Sequence, residues 1–129
     1  MAVTTLRQVA VEELCWFIDE EGKDFPALAW IWQALRARGK LLAEEAGLSW
    51  GMLPLLVCAG AGGDSRAALP LAVAVECFIA AADTFDDVQD CDTPDGLWRA
   101  CGLATATNVA TFLLFLTQLA LGRLARRLR

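Results

Sequence analysis

The stretch LPLAVAVECFIAAADTFDDVQDCD, residues 69–92, decides how the rest of the chain is read. Its first part is apolar, and its second part places Asp83, Asp86, Asp87 and Asp90 at i, i+3, i+4 and i+7. On an α-helix these four positions share one face. Like charges at that spacing repel, by roughly 0.2–0.5 kcal/mol per pair on an exposed helix. They also fall at the C-terminal end of the helix, where the macrodipole disfavours anions. An ordinary solvated helix end is the competing reading, and this placement weakens it. Something positive is expected beside the stripe. Carboxylates without histidine or thiolate suit a hard cation such as Mg²⁺, which takes a few carboxylates, water and substrate phosphates. Asp83, Asp86, Asp87 and Asp90 are therefore the candidate metal ligands.

Outward from this segment the pattern is all-α, with no alternating strand signal. A first helix is expected over about residues 5–20, with Thr5 and Gln8 at capping-box spacing and Leu6, Val9, Leu14 and Phe17 inward. Asp24 and Pro26 open a second helix, with Leu28, Ile31, Trp32 and Leu35 as its buried stripe and a continuation towards Glu45. Ser49 is the expected cap of a short third helix that Gly60, Gly62 and Gly63 end. Asp64 or Ser65 opens the fourth, with Pro70 near its first turn, where a missing N–H costs least. Residues 92–96, Asp-Thr-Pro-Asp-Gly, form a strong turn signal. A last helix follows, broken near Gly102, and ends in arginines.

A chain of 129 residues suits one domain, taken here as residues 1–129. Hydrophobic residues make up 57% and the mean hydropathy is +0.45, more apolar surface than one small core can hide. Association with a homo- or hetero-oligomeric partner is expected. The net charge of −5 offers no broad basic surface for nucleic acid. The dense basic cluster is terminal: Arg123, Arg126, Arg127 and Arg129. The absence of histidine excludes Ser-His-Asp and Cys-His catalysis and histidine-bound metal. Five dispersed cysteines, with no C-x-x-C pair, read as reduced thiols of a cytoplasmic protein. No signal peptide is apparent, since Glu12 and Glu13 interrupt the start. Residues 100–122 carry no charge and are long enough to span a bilayer, so membrane contact is a competing reading. Their threonines, Asn108 and Gln118 favour instead a helix buried on all sides of a bundle.

Four landmarks in order resemble the trans-prenyl diphosphate synthases, the polyprenyl synthetase family, over roughly residues 48–121. Asp86-Asp87-Val88-Gln89-Asp90 matches the first aspartate-rich motif, D-D-x-x-D. Glu76 stands ten residues before it, where the family carries a glutamate. Leu97–Gly102 followed by Ala104–Asn108 is similar to a W-x-x-x-G then A-x-A-x-N stretch. Leu53-Pro54-Leu55-Leu56-Val57 is similar to an R-P-L-L-V segment. The resemblance implies an all-α isoprenoid-synthase bundle, about half of the usual domain, around a cavity. It implies Mg²⁺ held by Asp86, Asp87 and Asp90, an allylic prenyl diphosphate as substrate, and ionisation with Asp86 and Asp87 as the catalytic pair.

The departures narrow this. The basic residues that bind isopentenyl diphosphate in elongating members are missing before Pro54, where Ser49–Leu53 stand. The arginine pair after the first motif is replaced by the 93–96 turn, leaving Arg99 as the nearby cation. A second aspartate-rich motif has no counterpart, and Asp83 is an addition. These changes favour a prenyltransferase or terpene-synthase-like enzyme that ionises one allylic diphosphate. The alternatives are a non-catalytic partner subunit of a synthase, or a small single-span membrane protein. Ala81 and Ala82, with Phe78 as the next bulky group, are expected to leave room for a long prenyl chain; ordinary packing by alanine is the competing reading. Asn108 is the best candidate for a polar cavity contact.

Overall fold

The computed structural model describes residues 2–45 and 47–129, and these form an all-helical bundle without strands. Its α-helices are α1 (Val3–Gly22), α2 (Leu28–Leu35), α3 (Met52–Gly60), α4 (Leu69–Asp90), α5 (Leu97–Cys101) and α6 (Leu103–Arg127). A 3-10 turn, Ser65–Ala68, leads into α4.

The aspartate-bearing helix is the centre of the bundle. α4 packs against every other helix, most extensively against α6. Its buried face combines Leu69 and Val73 with Ala72, Ala74, Ala80 and Ala81. α6 answers with Ala106, Ala110 and Ala120 between Val109, Leu113 and Leu116. Small side chains let the two helices approach closely. The Thr117 hydroxyl donates to Leu113 in its own helix at 2.9 Å and lies 3.5 Å from the Ala74 carbonyl of α4. α1 closes a further side with Leu6, Ala10, Leu14, Phe17 and Ile18, all nearly inaccessible.

Local chemistry explains where the helices begin and end. The Asp64 carboxylate accepts from the Arg66 amide at 3.0 Å and starts the 3-10 turn. Pro70 then occupies the first turn of α4, as its missing N–H requires. α4 stops at Asp90 because Cys91 adopts a left-handed φ of 55° and its amide still donates to Asp87. Between α5 and α6, Gly102 sits at φ 86° and ψ 157°, a conformation that an L side chain resists.

Three expectations at helix ends are corrected. α1 starts at Val3 without a side-chain cap, and Gln8 donates instead to Glu12 at 2.9 Å. Ser49 does not cap α3 with its hydroxyl, which is buried without a partner; its carbonyl accepts from Met52. α2 does not run on towards Glu45. It ends at Leu35, and turns follow because Gly39 takes a φ of 79°.

α6 is also not buried on all sides. One face is in the core, while Leu114, Phe115 and Leu119 are exposed on the other. Residues 65–90 and 103–127 are each long and apolar enough to cross a membrane by length and composition. The arginine end of α6 is tied to α1: Arg123 pairs with Glu21 and lies over the Trp16 ring, and Arg127 is 3.7 Å from Glu13.

Candidate functional site

The last turns of α4 carry their aspartates to the edge of the bundle, beside the chain that leaves α2. An open cavity of ≈ 580 Å³ lies there. Asp83, Asp86 and Asp87 line it from α4. Arg36, Arg38 and Lys40 line it from the segment after α2. Thr93 and Asp95 come from the turn before α5, and Ala34, Ala37, Ala80 and Leu97 give it small and apolar wall. Four carboxylates and three cations thus share one cavity.

Each carboxylate is placed differently. Asp83 forms an ion pair with Lys40, whose side chain is only 6% exposed against 59% for the aspartate. Asp87 is half-buried and accepts from the Thr93 hydroxyl at 2.6 Å. The Thr93 carbonyl in turn accepts from Arg99 Nε at 2.8 Å, and the Arg99 guanidinium lies 4.5 Å from the centre of the Trp98 ring. Asp86 is exposed and has no ion-pair partner among the described residues.

The cationic side of the cavity is held by a carboxylate that never reaches it. Glu76 is 1% exposed. Its Oε2 accepts from the Leu41 amide and its Oε1 from the Gly51 amide, both at 2.9 Å. Two backbone donors satisfy this buried acid without a cation. The segment between Lys40 and α3 is thereby closed onto α4. Gly51 is required at this junction, since a Cβ there would stand 2.5 Å from Glu76 Cγ.

The other residues singled out from the sequence are distributed as follows. Asp90, the last residue of α4, is exposed and outside the cavity lining. Ala81 is fully buried in the core. Ala82 and Phe78 are exposed on a face of α4 that does not line the cavity. Ala82 shares a helical row with Asp86, but the cavity opens on the Asp87 side, where the wall is built from Asp83, Ala80 and Thr84. Arg99 props the turn rather than lining the cavity. Asn108 lies in a separate groove of ≈ 370 Å³, with Phe25, Phe112 and Phe115.

The basic trio is not among the cations that the sequence pattern singles out, which are Arg99 and the terminal arginines. The signal was present as Arg36-Ala37-Arg38-Gly39-Lys40, three cations in five residues behind an amphipathic helix. Of the aspartates, Asp83 takes its cationic partner, Lys40, from this segment.

The donor set is oxygen only. Among the described residues no three carboxylates or thiols converge closely enough to hold an ion alone. Asp86 and Asp87 fit Mg²⁺ in another manner, since that ion commonly uses one or two carboxylates and completes its shell with water and phosphate oxygens. Comparison with protein-family models, curated proteins and solved structures finds no match to this chain.

Proposed function

We propose that this cavity binds the diphosphate of an allylic prenyl substrate together with Mg²⁺ and ionises it, on an isoprenoid-synthase type of bundle. The observation that carries the reading is that Asp86 and Asp87 of α4 share the lining of one cavity with Arg36, Arg38 and Lys40 of the segment after α2. A diphosphate needs both kinds of group, carboxylates for its counter-ions and cations for its remaining oxygens.

The chain's own residues divide the work. Asp86 presents a free carboxylate, and Asp87 is fixed by the Thr93 hydroxyl. Arg36, Arg38 and Lys40 neutralise the non-bridging oxygens, with Arg offering a planar fork and Lys a compact charge. Ala34, Ala37, Ala80 and Leu97 meet the first carbons of the prenyl chain. Mg²⁺, when bound, supplies concentrated positive charge beside the leaving oxygens. In the proposed reaction the C1–O bond breaks heterolytically and its electron pair leaves with the diphosphate. A carbon–carbon double bond captures the allylic cation, and the new cation loses a proton from the adjacent carbon, which the released diphosphate can accept. Ser49–Leu53 contain no cation for a second diphosphate, so elongation with isopentenyl diphosphate is not part of the proposal. Five free thiols fit a cytosolic setting for this chemistry.

Pyrophosphate release from allylic diphosphates of several lengths, with Mg²⁺, tests the reading. Asp86→Ala and Asp87→Ala are each expected to lower the rate on the order of a hundredfold. Release that is unchanged in both variants contradicts it. A second reading, a non-catalytic subunit that shapes a partner synthase, is favoured by the uncharged outer face of α6, where Phe115 is 62% exposed. That reading predicts no release by the chain alone and altered product lengths when a synthase is added.

A further inference from the structure

Lys40 is a strongly buried cation on the wall of a cavity, and its partner is the less buried member of the pair. The backbone next to Lys40 is fixed, because the Leu41 amide donates to buried Glu76. The ammonium therefore cannot follow a mobile loop away from the cavity. Asp83, by contrast, is mostly exposed and sits on the same lining as Asp86 and Asp87. An anion entering between Arg36, Arg38 and Lys40 meets Asp83 already seated at one of the three cations.

We infer that Asp83 is a resident counter-anion for Lys40, occupying the position that a phosphate oxygen takes on binding, so that anion binding here is an exchange. This rests on reading the cavity as a diphosphate site. It separates Asp83 from Asp86 and Asp87, which carry no cationic partner of their own among the described residues. The exchange makes binding weaker than three unoccupied cations would allow. It also keeps a buried ammonium paired when the cavity holds no ligand, where an unpaired charge is costly.

The test is titration of the intact protein with inorganic pyrophosphate in EDTA, so that no divalent ion contributes. Asp83→Asn keeps the shape and removes the charge; it is expected to bind pyrophosphate at least about two- to fivefold more tightly, the span of an exposed ion pair being the lower bound for one whose cation is buried. Lys40→Gln is expected to weaken binding and to abolish the gain that Asp83→Asn otherwise brings. Asp83→Ala serves as a second variant, with circular dichroism checking the fold of each. Equal or weaker binding by both folded Asp83 variants overturns the inference. So does an Asp83→Asn gain that persists in the Lys40→Gln background. Because no metal or allylic substrate is present, these results stand apart from the pyrophosphate-release assay. A gain here without release there leaves the anion exchange and removes the catalysis.

Discussion

Glu76 decides more than its place in an apolar helix suggests. A buried carboxylate with neither oxygen idle is held by two amides that lie ten residues apart in sequence. Glutamine in its place can accept from one amide, but its NH₂ then faces the other N–H. One buried donor is left unsatisfied, at about 1–3 kcal/mol. Glu76→Gln is thus expected to lower the unfolding free energy by that amount, moving the denaturant midpoint without changing the slope. Gly51→Ala acts on the same contact from the other side, because its new methyl meets the Glu76 side chain. Unchanged stability in both variants contradicts the tether. Among single residues the aspartate stripe was legible, since helical spacing alone places Asp83, Asp86 and Asp87 together. Their partners were not. Lys40 and Thr93 approach from outside the helix, and the Lys40–Asp83 pair spans 43 positions. That Ala81 and Ala82 do not line this cavity was illegible for a related reason: spacing puts Ala82 in line with Asp86 but cannot say on which side the cavity opens.

Helices were read more easily than their ends. The existence of α1, α3, α4 and the α5–α6 break at Gly102 followed from apolar periodicity, Pro70, the turn at residues 92–96 and the glycines. The stop of α2 did not, because Gly39 inside a helical pattern is tolerable until tertiary packing selects its left-handed conformation. That one stop delivers Arg36, Arg38 and Lys40 to the cavity. The core of α4 carries a consequence of its own. Cys77 is fully buried, and burial, with the Glu76 charge beside it, pushes its thiol well above the ordinary value of 9.0. In the folded chain the thiol keeps its proton, whereas the unfolded chain loses it near pH 9.0. Below that pH both states are protonated and stability is unaffected. As pH rises past about 9 the unfolded state binds fewer protons, so unfolding becomes easier. Urea unfolding at about pH 8, 9 and 10 is expected to show this fall, and Cys77→Ala to flatten it. An unchanged pH slope in the variant contradicts the assignment.

The whole molecule is a bundle organised around one helix, with a charged cavity at the C-terminal end of that helix and apolar surface elsewhere. Fold class was readable because every long apolar run had helical period. The cavity was half readable: its acidic wall from a motif, its basic wall only once the chain had turned after α2. Surface apolarity was anticipated from composition and is found on α6, on α3 and just before it, where Val57 and Trp50 are both 62% exposed. These faces do not enter the cavity, so the binding chemistry can be tested apart from association. The catalysis proposed for the cavity depends on Asp86 and Asp87 binding diphosphate through Mg²⁺. Calorimetric titration with a non-ionising allylic thiolodiphosphate, with and without Mg²⁺, measures this without requiring turnover. Binding is expected to strengthen with Mg²⁺ by on the order of a hundredfold or more, and Asp86→Asn and Asp87→Asn are each expected to lose that increment. Binding of equal strength with and without Mg²⁺, or an increment that survives both substitutions, would contradict it.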